Sequence, residues 1–150
     1  MNDVSLDKFD LRILEILQSD GRISNLDLAE MVGLSATPCS RRVKRLEAAG
    51  VIEGYTARIS PLAIGLDVSV FISVRLEKKA SGPAVNFADV VQDIPEIFEC
   101  YLVTGDYDYV LRVRTRGVDS LKDFILNKLT AIPGVAETSS TLILEETKVF

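Results

Sequence analysis

Ser35-Ala36-Thr37-Pro38-Cys39-Ser40-Arg41-Arg42-Val43-Lys44-Arg45-Leu46-Glu47-Ala48-Ala49-Gly50 is the stretch on which the fold turns. Ser35 is an N-cap residue type, and Pro38 falls in a first turn, where its missing amide would have had no intrahelical partner. Gly50 ends the run, so a helix is expected over 36–49. At about 100° per residue, Ala36, Cys39, Val43 and Leu46 share one side, while Thr37, Arg41, Lys44, Arg45 and Ala48 point away and Ser40 sits at the edge. One face is core; the opposite face is cationic and hydrogen-bonding. Arg41, Arg42, Lys44 and Arg45 stand against the single acid Glu47 here, in a 150-residue chain whose 17 basic and 22 acidic residues give a net charge of −5. A phosphate backbone responds to that local charge rather than to the net charge.

Upstream, residues 7–18 read as a helix with Asp7 as N-cap and Phe9, Ile13, Leu14 and Leu17 on one apolar face, ended by Ser19-Asp20-Gly21. Ser24, with Asp27 three positions on, opens a helix of about two turns that carries Leu26, Leu28, Ala29 and Met31 until Gly33 stops it. Two helices joined by a turn of about three residues, the second exposing Arg, Lys, Ser and Thr, form a helix-turn-helix, whose second helix lies in the major groove. An isolated charge run is more simply a solvated face. This one follows a helix-turn-helix spacing, which makes double-stranded DNA the expected partner and Ser35, Thr37, Ser40, Arg41, Lys44 and Arg45 the candidate contacts. Cys39 reads as a small core residue. Residues 51–58 read as a strand pair, or wing, against the end of the helix.

Pro61 and Gly65 punctuate the chain after these helices. The expected organisation is a DNA-binding domain over 1–60, a linker over 61–66 and a second domain over 67–150. Two small domains would each bury only about 60% of their unfolded surface, which favours a partner chain that adds core. Residues 68–76, rich in β-branched side chains, read as a strand, 83–92 as a helix and 97–104 as a second strand. Gly105-Asp106 reads as a tight turn into a third strand over 107–114, followed by a helix over 118–131 and a strand over 135–144. Ile94-Pro95 and Ile132-Pro133 each mark the exit from a helix into a strand, a weak internal echo. The whole is α+β: a winged helix-turn-helix followed by a ferredoxin-like βαββαβ domain, with both helices on one face of an antiparallel sheet. The other face needs a cover for an inventory that includes Phe71, Phe98, Tyr101, Tyr107 and Tyr109, and a second copy of the chain is the economical one.

Composition narrows the chemistry. Hydrophobic residues make up 47% and charged residues 26%, the balance of a globular chain, and histidine is absent. The imidazole base of a hydrolytic triad and the commonest zinc ligand go with it. No Gly-rich dinucleotide fingerprint, phosphate loop or metal-ligand cluster stands out, so neither a cofactor nor a metal is expected. Asp106 and Asp108, two apart, could serve a small dimeric enzyme as an acid/base pair, a weaker alternative than DNA binding. Cys39 and Cys100 lie far apart, no run of about 18 apolar residues occurs, and the amino terminus lacks a basic region followed by an apolar stretch. A cytoplasmic protein with reduced thiols and no membrane contact is expected.

Asp10-Leu11-Arg12-Ile13-Leu14, Gly21-Arg22-Ile23-Ser24-Asn25, Val32-Gly33-Leu34-Ser35 and Gly50-Val51-Ile52 follow one another in the first half. Val103-Thr104-Gly105-Asp106-Tyr107-Asp108-Tyr109 and Ile132-Pro133-Gly134-Val135 follow in the second. In this order and spacing, together with 41–47, the chain resembles the Lrp/AsnC, or feast/famine, family of bacterial and archaeal transcription regulators. The resemblance implies a C-terminal domain for dimerisation and amino-acid sensing, dimers assembled into octamers or related rings, and an effector site near the loop after the domain's second strand. Here that loop is Gly105, Asp106, Tyr107 and Asp108. Asp106 or Asp108 could meet the ammonium of an amino acid, while amides beside Gly105 and the hydroxyls of Thr138 and Ser140 could meet its carboxylate. A regulator of architectural type, responding to no effector, is the alternative within the same family.

Overall fold

Asp7 starts the first helix, α1 (Lys8–Ser19), by a reciprocal capping box. Its carboxylate accepts from the Phe9 and Asp10 amides at 2.9 and 3.0 Å, and its own amide donates to Asp10 Oδ2 at 3.0 Å. The computed structural model describes residues 5–77 and 86–148. The chain divides into two units, one up to Arg58 and one from Ile59 onward, and each is described by itself.

In the first unit, Ser24 caps α2 (Asn25–Val32) by accepting from the Asp27 amide at 3.1 Å, and Gly33 closes it with φ of 78°. Only glycine takes that conformation without strain. The turn is fixed further by the Leu34 amide donating to Ala29 O and by Asn25 Nδ2 donating to Ala36 O, both at 2.9 Å. α3 (Ala36–Ala48) then begins. Its Ser35 has N-cap backbone geometry, but its hydroxyl makes no capping bond, contrary to the capping role expected of it. Ile13, Ile16, Leu28, Ala29, Val32, Cys39 and Leu46 form the core. Leu26 and Met31 are exposed, because an eight-residue helix with Leu28, Ala29 and Val32 turned inward points them outward. The strand pair expected over 51–58 is not formed. That segment has no ladder and is held by the Val51 and Ile52 amides on Leu46 O (2.9 and 3.2 Å) and by Tyr55 Oη donating to Glu47 (2.9 Å).

In the second unit, Leu62–Ile64 make one 3₁₀ turn ended by Gly65, and the elements that follow are β1 (Val68–Leu76), α4 (Phe87–Gln92), β2 (Ile97–Leu102) and β3 (Tyr109–Thr115). α5 (Gly117–Asp123) runs on into a wider π turn over Phe124–Leu129, and β4 (Val135–Leu142) completes the unit. The part of the expected helix over 83–85 lies outside the described residues. The sheet order is β2-β3-β1-β4, antiparallel throughout, which is the ferredoxin-like plan. Both Ile-Pro exits close alike: Ile97 N donates to Ile94 O at 3.1 Å and Val135 N to Ile132 O at 3.2 Å.

Alternation along β1 sends Val70, Ile72 and Val74 toward the helices, where Leu111, Val113, Phe87, Val91, Phe124, Leu129 and Ile132 join them. Phe71, Phe98 and Tyr101 lie on the opposite face, 39%, 47% and 53% exposed. Tyr109 does not. It packs toward the helices with its ring 4.8 Å from that of Phe87. Across the open face, Arg112 lies over Phe71 at 5.8 Å and Arg114 over Phe98 at 5.1 Å. After β4 the chain crosses this face: Ile143 N donates to Ser69 O at 2.9 Å, and Glu146 accepts from Arg112 and, at 3.2 Å, from Arg114. The Arg112 guanidinium, with Arg114 behind it, outweighs partial burial and holds the Glu146 carboxyl below its ordinary range.

Candidate nucleic-acid interface and effector loop

On α3, Thr37, Arg41 and Lys44 are exposed, Ser40 is half-buried, and Ser35 at the helix start is exposed with its hydroxyl free of a cap. Arg41 and Lys44 make no ion pair among the described residues. The other two cations of the run are engaged. Arg42 Nη1 reaches Asp7 Oδ2 at 2.7 Å and Asp10 Oδ1 at 2.9 Å, and its guanidinium lies 5.4 Å from the Phe9 ring centre. Arg45 Nη2 donates to Asp10 Oδ2 at 2.5 Å.

Asp10 has no exposed surface, yet it is charged. Burial pushes its carboxyl up, but the Asp7 amide, Arg42 and Arg45 together outweigh that and hold it below the ordinary carboxylate range. Sequence reasoning missed this residue. The available signal was an acid three positions after an N-cap and one helical turn before Ile13, on the side that turns toward the core. The cationic run is thus divided: two arginines tie α3 to α1, and Arg41 and Lys44 face solvent.

In the second unit, β2 and β3 are joined by a six-residue loop over 103–108 rather than by the tight turn expected at Gly105-Asp106, since the ladder ends at the Leu102/Tyr109 pair. The Val103 amide donates to Asp108 O at 2.9 Å, and Gly105 takes φ of 118°. Asp106 is exposed, and no bond to its carboxylate is formed among the described residues; its carbonyl accepts from Arg75 Nε at 2.8 Å. Arg75 also pairs with Glu137 at 2.8 Å and lies 5.0 Å from the ring centre of Tyr107, whose hydroxyl donates to Glu137 at 3.3 Å. Asp108 Oδ2 accepts from the Leu76 amide at 2.7 Å, so this carboxylate is already engaged in closing the end of β1.

An open cavity of about 470 Å³ is lined by Arg75, Leu76, Glu77, Gly105, Asp106 and Asp108. Its size suits a small polar molecule. Thr138 and Ser140 do not line it. They pair with Val74 and Ile72 on β1 and turn to the helix-bearing side of the sheet, whereas Glu137 is on the side of Arg75. Arg75 and Glu137 were the residues missed, because their meeting depends on the register of β1 with β4. Among the described residues no cluster of three potential metal ligands occurs, and no helix is long and apolar enough to cross a membrane.

A cationic second helix after a tight turn, on one chain with a ferredoxin-like unit, defines the class as a helix-turn-helix transcription regulator. Two family models match: "Winged helix-turn-helix DNA-binding" over residues 6–53 and "Lrp/AsnC ligand binding domain" over 69–149. The leucine-responsive regulatory protein of Escherichia coli K12 is 42% identical over 143 residues, which cover 95% of this chain and 87% of that protein. Among solved structures, a transcriptional regulator of Neisseria meningitidis in complex with L-methionine is 37% identical, with a TM-score of 0.90 and coverage of 97% of this chain and 94% of that one. The AsnC protein of E. coli is 28% identical with a TM-score of 0.85, covering 98% and 97%. The chain belongs to the Lrp/AsnC family of transcription regulators.

Proposed function

We propose that this regulator binds duplex DNA as a homodimer, or a ring of dimers such as an octamer, and adjusts assembly or binding to an amino acid held at the 103–108 loop. It acts in the cytoplasm and is not an enzyme. The observation that carries the DNA reading is the pair Arg41 and Lys44, exposed and unpaired among the described residues beside Thr37, Ser35 and half-buried Ser40. With only Arg41 and Lys44 of the α3 cations unpaired among the described residues, each half-site is held weakly, and linked subunits supply affinity through effective concentration. Arg41→Ala is expected to weaken binding by about 1–2 kcal/mol and to flatten the salt dependence by about one unit of slope, with the dimer intact. Titration of a fluorescent duplex at several salt concentrations reads both; unchanged affinity at matched salt removes Arg41 from the interface.

The effector reading rests on the cavity beside Asp106 and on the relative solved with L-methionine. Asp106 supplies the carboxylate for the ammonium, since that of Asp108 is engaged by Leu76. The catalytic alternative, in which Asp106 and Asp108 act as an acid/base pair, loses support from the same engagement. A site filled at 100 times its dissociation constant raises stability by about 2.7 kcal/mol, a shift of several degrees. Thermal unfolding against the twenty amino acids is expected to yield at least one such shift, and Asp106→Asn is expected to remove it. Silence across the panel would favour a regulator without an amino-acid effector, and a shift that survives Asp106→Asn would move the ammonium elsewhere.

A further inference from the structure

We infer that Asp10 is a positioning residue for DNA readout: buried in α1, it grips one nitrogen of Arg45 and presents the rest of that guanidinium to the duplex. The inference rests on the reading that α3 meets DNA.

A purely structural tie between α1 and α3 needs only Arg42. That side chain bridges Asp7 and Asp10, stacks on Phe9 and is only 27% exposed. Arg45 differs. It shares the Asp10 carboxylate through Nη2 alone and remains 49% exposed, on the same side of α3 as Arg41 and Lys44. A guanidinium has five N–H donors in a rigid fork, so one bond to Asp10 leaves the others free for a phosphate or a guanine edge. Its rotamer freedom is lost on folding rather than on binding, which is preorganisation.

The two carboxylates, buried Asp10 and exposed Asp7, carry an electrostatic consequence as well. Asp7 and Asp10 neutralise Arg42 and Arg45, which lowers indiscriminate attraction to any duplex while leaving the geometry of Arg45 intact. Asp10 therefore trades general affinity for discrimination.

The test uses the full chain and two probes: duplexes that the unaltered chain enriches from a random-sequence pool, and the unselected pool. The readouts are the ratio of affinities for the two and the salt slope of each. Arg45→Lys is expected to keep the slope, because the charge stays, and to lower the ratio at least about fivefold, because the fork is lost. Asp10→Asn is expected to lower the ratio similarly while binding to the unselected pool holds or strengthens; in an Arg45→Ala background it should leave the ratio unchanged. A ratio within twofold of the unaltered chain for Arg45→Lys overturns the proposal. So does an Asp10→Asn effect that persists at full size in the Arg45→Ala background, since Asp10 would then be a strut only. Where circular dichroism shows that Asp10→Asn does not fold, Arg45→Lys decides alone. Failure of the unaltered chain to bind any duplex at any salt is a different result, and it would overturn the DNA reading together with this one.

Discussion

Asp10→Ala is expected to destabilise the first unit by about 2–4 kcal/mol. Removing one partner of a buried ionic cluster typically costs about 3–5 kcal/mol, and the half-exposed Arg45, which can turn to water, reduces that figure here. What remains is Arg42, 27% exposed and paired with Asp7 alone, beside a cavity where the second carboxylate stood. The capping bond from the Asp7 amide is lost as well. For a unit of this size the expected loss is a large part of total stability and corresponds to a fall of roughly 10 °C or more in melting temperature. Amide hydrogen exchange in α1, α2 and α3 of the full chain reads the change locally; protection within about threefold of the unaltered chain would show that Asp10 is dispensable. The pH dependence has a definite sign. Asp10 and Asp7 are both held below their ordinary values, so their contribution is complete above about pH 4 and is lost as pH falls through the lowered folded values. Acid should therefore loosen the first unit of the unaltered chain, and loosen it less in Asp10→Ala, which has already lost that contribution.

Phe71→Lys is expected to weaken self-association by at least about two orders of magnitude, or roughly 3 kcal/mol. Phe71 stands on the open face of the sheet, where Phe98 and Tyr101 are also exposed, and a dimer built on that face buries all three. A lysine there would add a buried positive charge next to Arg112, whose guanidinium now lies over the Phe71 ring, where the Glu146 carboxylate is already taken by Arg112 and Arg114. Val118→Lys is the control, because Val118 is 68% exposed at the start of α5, on the helix-bearing side. Sedimentation should show Phe71→Lys shifted toward monomer and Val118→Lys unchanged. An unchanged mass distribution for Phe71→Lys would place the interface elsewhere.

Elements defined by local chemistry were legible in the sequence. Asp7, Ser24 and Gly33 mark helix ends through contacts within a turn, and β1 carries enough β-branched residues to show itself. Failures came where a partner far along the chain decides. Arg45 reads as part of the exposed cationic face, but its partner Asp10 lies 35 positions away, and nothing in the spacing of α3 announces it. Residues 51–58 look like strand by composition, yet among the described residues of the first unit no strand pairs with them. Gly105-Asp106 has turn composition, but the ladder stops at Leu102 and Tyr109, and the loop takes up the difference. The residues around the cavity followed the same rule: Asp106 and Asp108 share a loop and could be named together, whereas Arg75, which lines it, and Glu137, which pairs with Arg75, meet only through strand register. Thr138 and Ser140 were placed with them by chemistry alone, and the alternation of β4 turns them to the other side.

The matching Ile-Pro exits have a geometric meaning. Strand order β2-β3-β1-β4 maps onto itself when β1 is exchanged with β3 and β2 with β4, so the second unit carries an approximate two-fold axis through the centre of its sheet, between β1 and β3. Pairing two such units face to face about a true two-fold would set four βαβ halves in a near-tetrahedral arrangement, with four equivalent outer strand edges. The 103–108 loop interrupts that equivalence. It is a place where such an assembly can tell one end of itself from the other, and it holds the exposed carboxylate of Asp106.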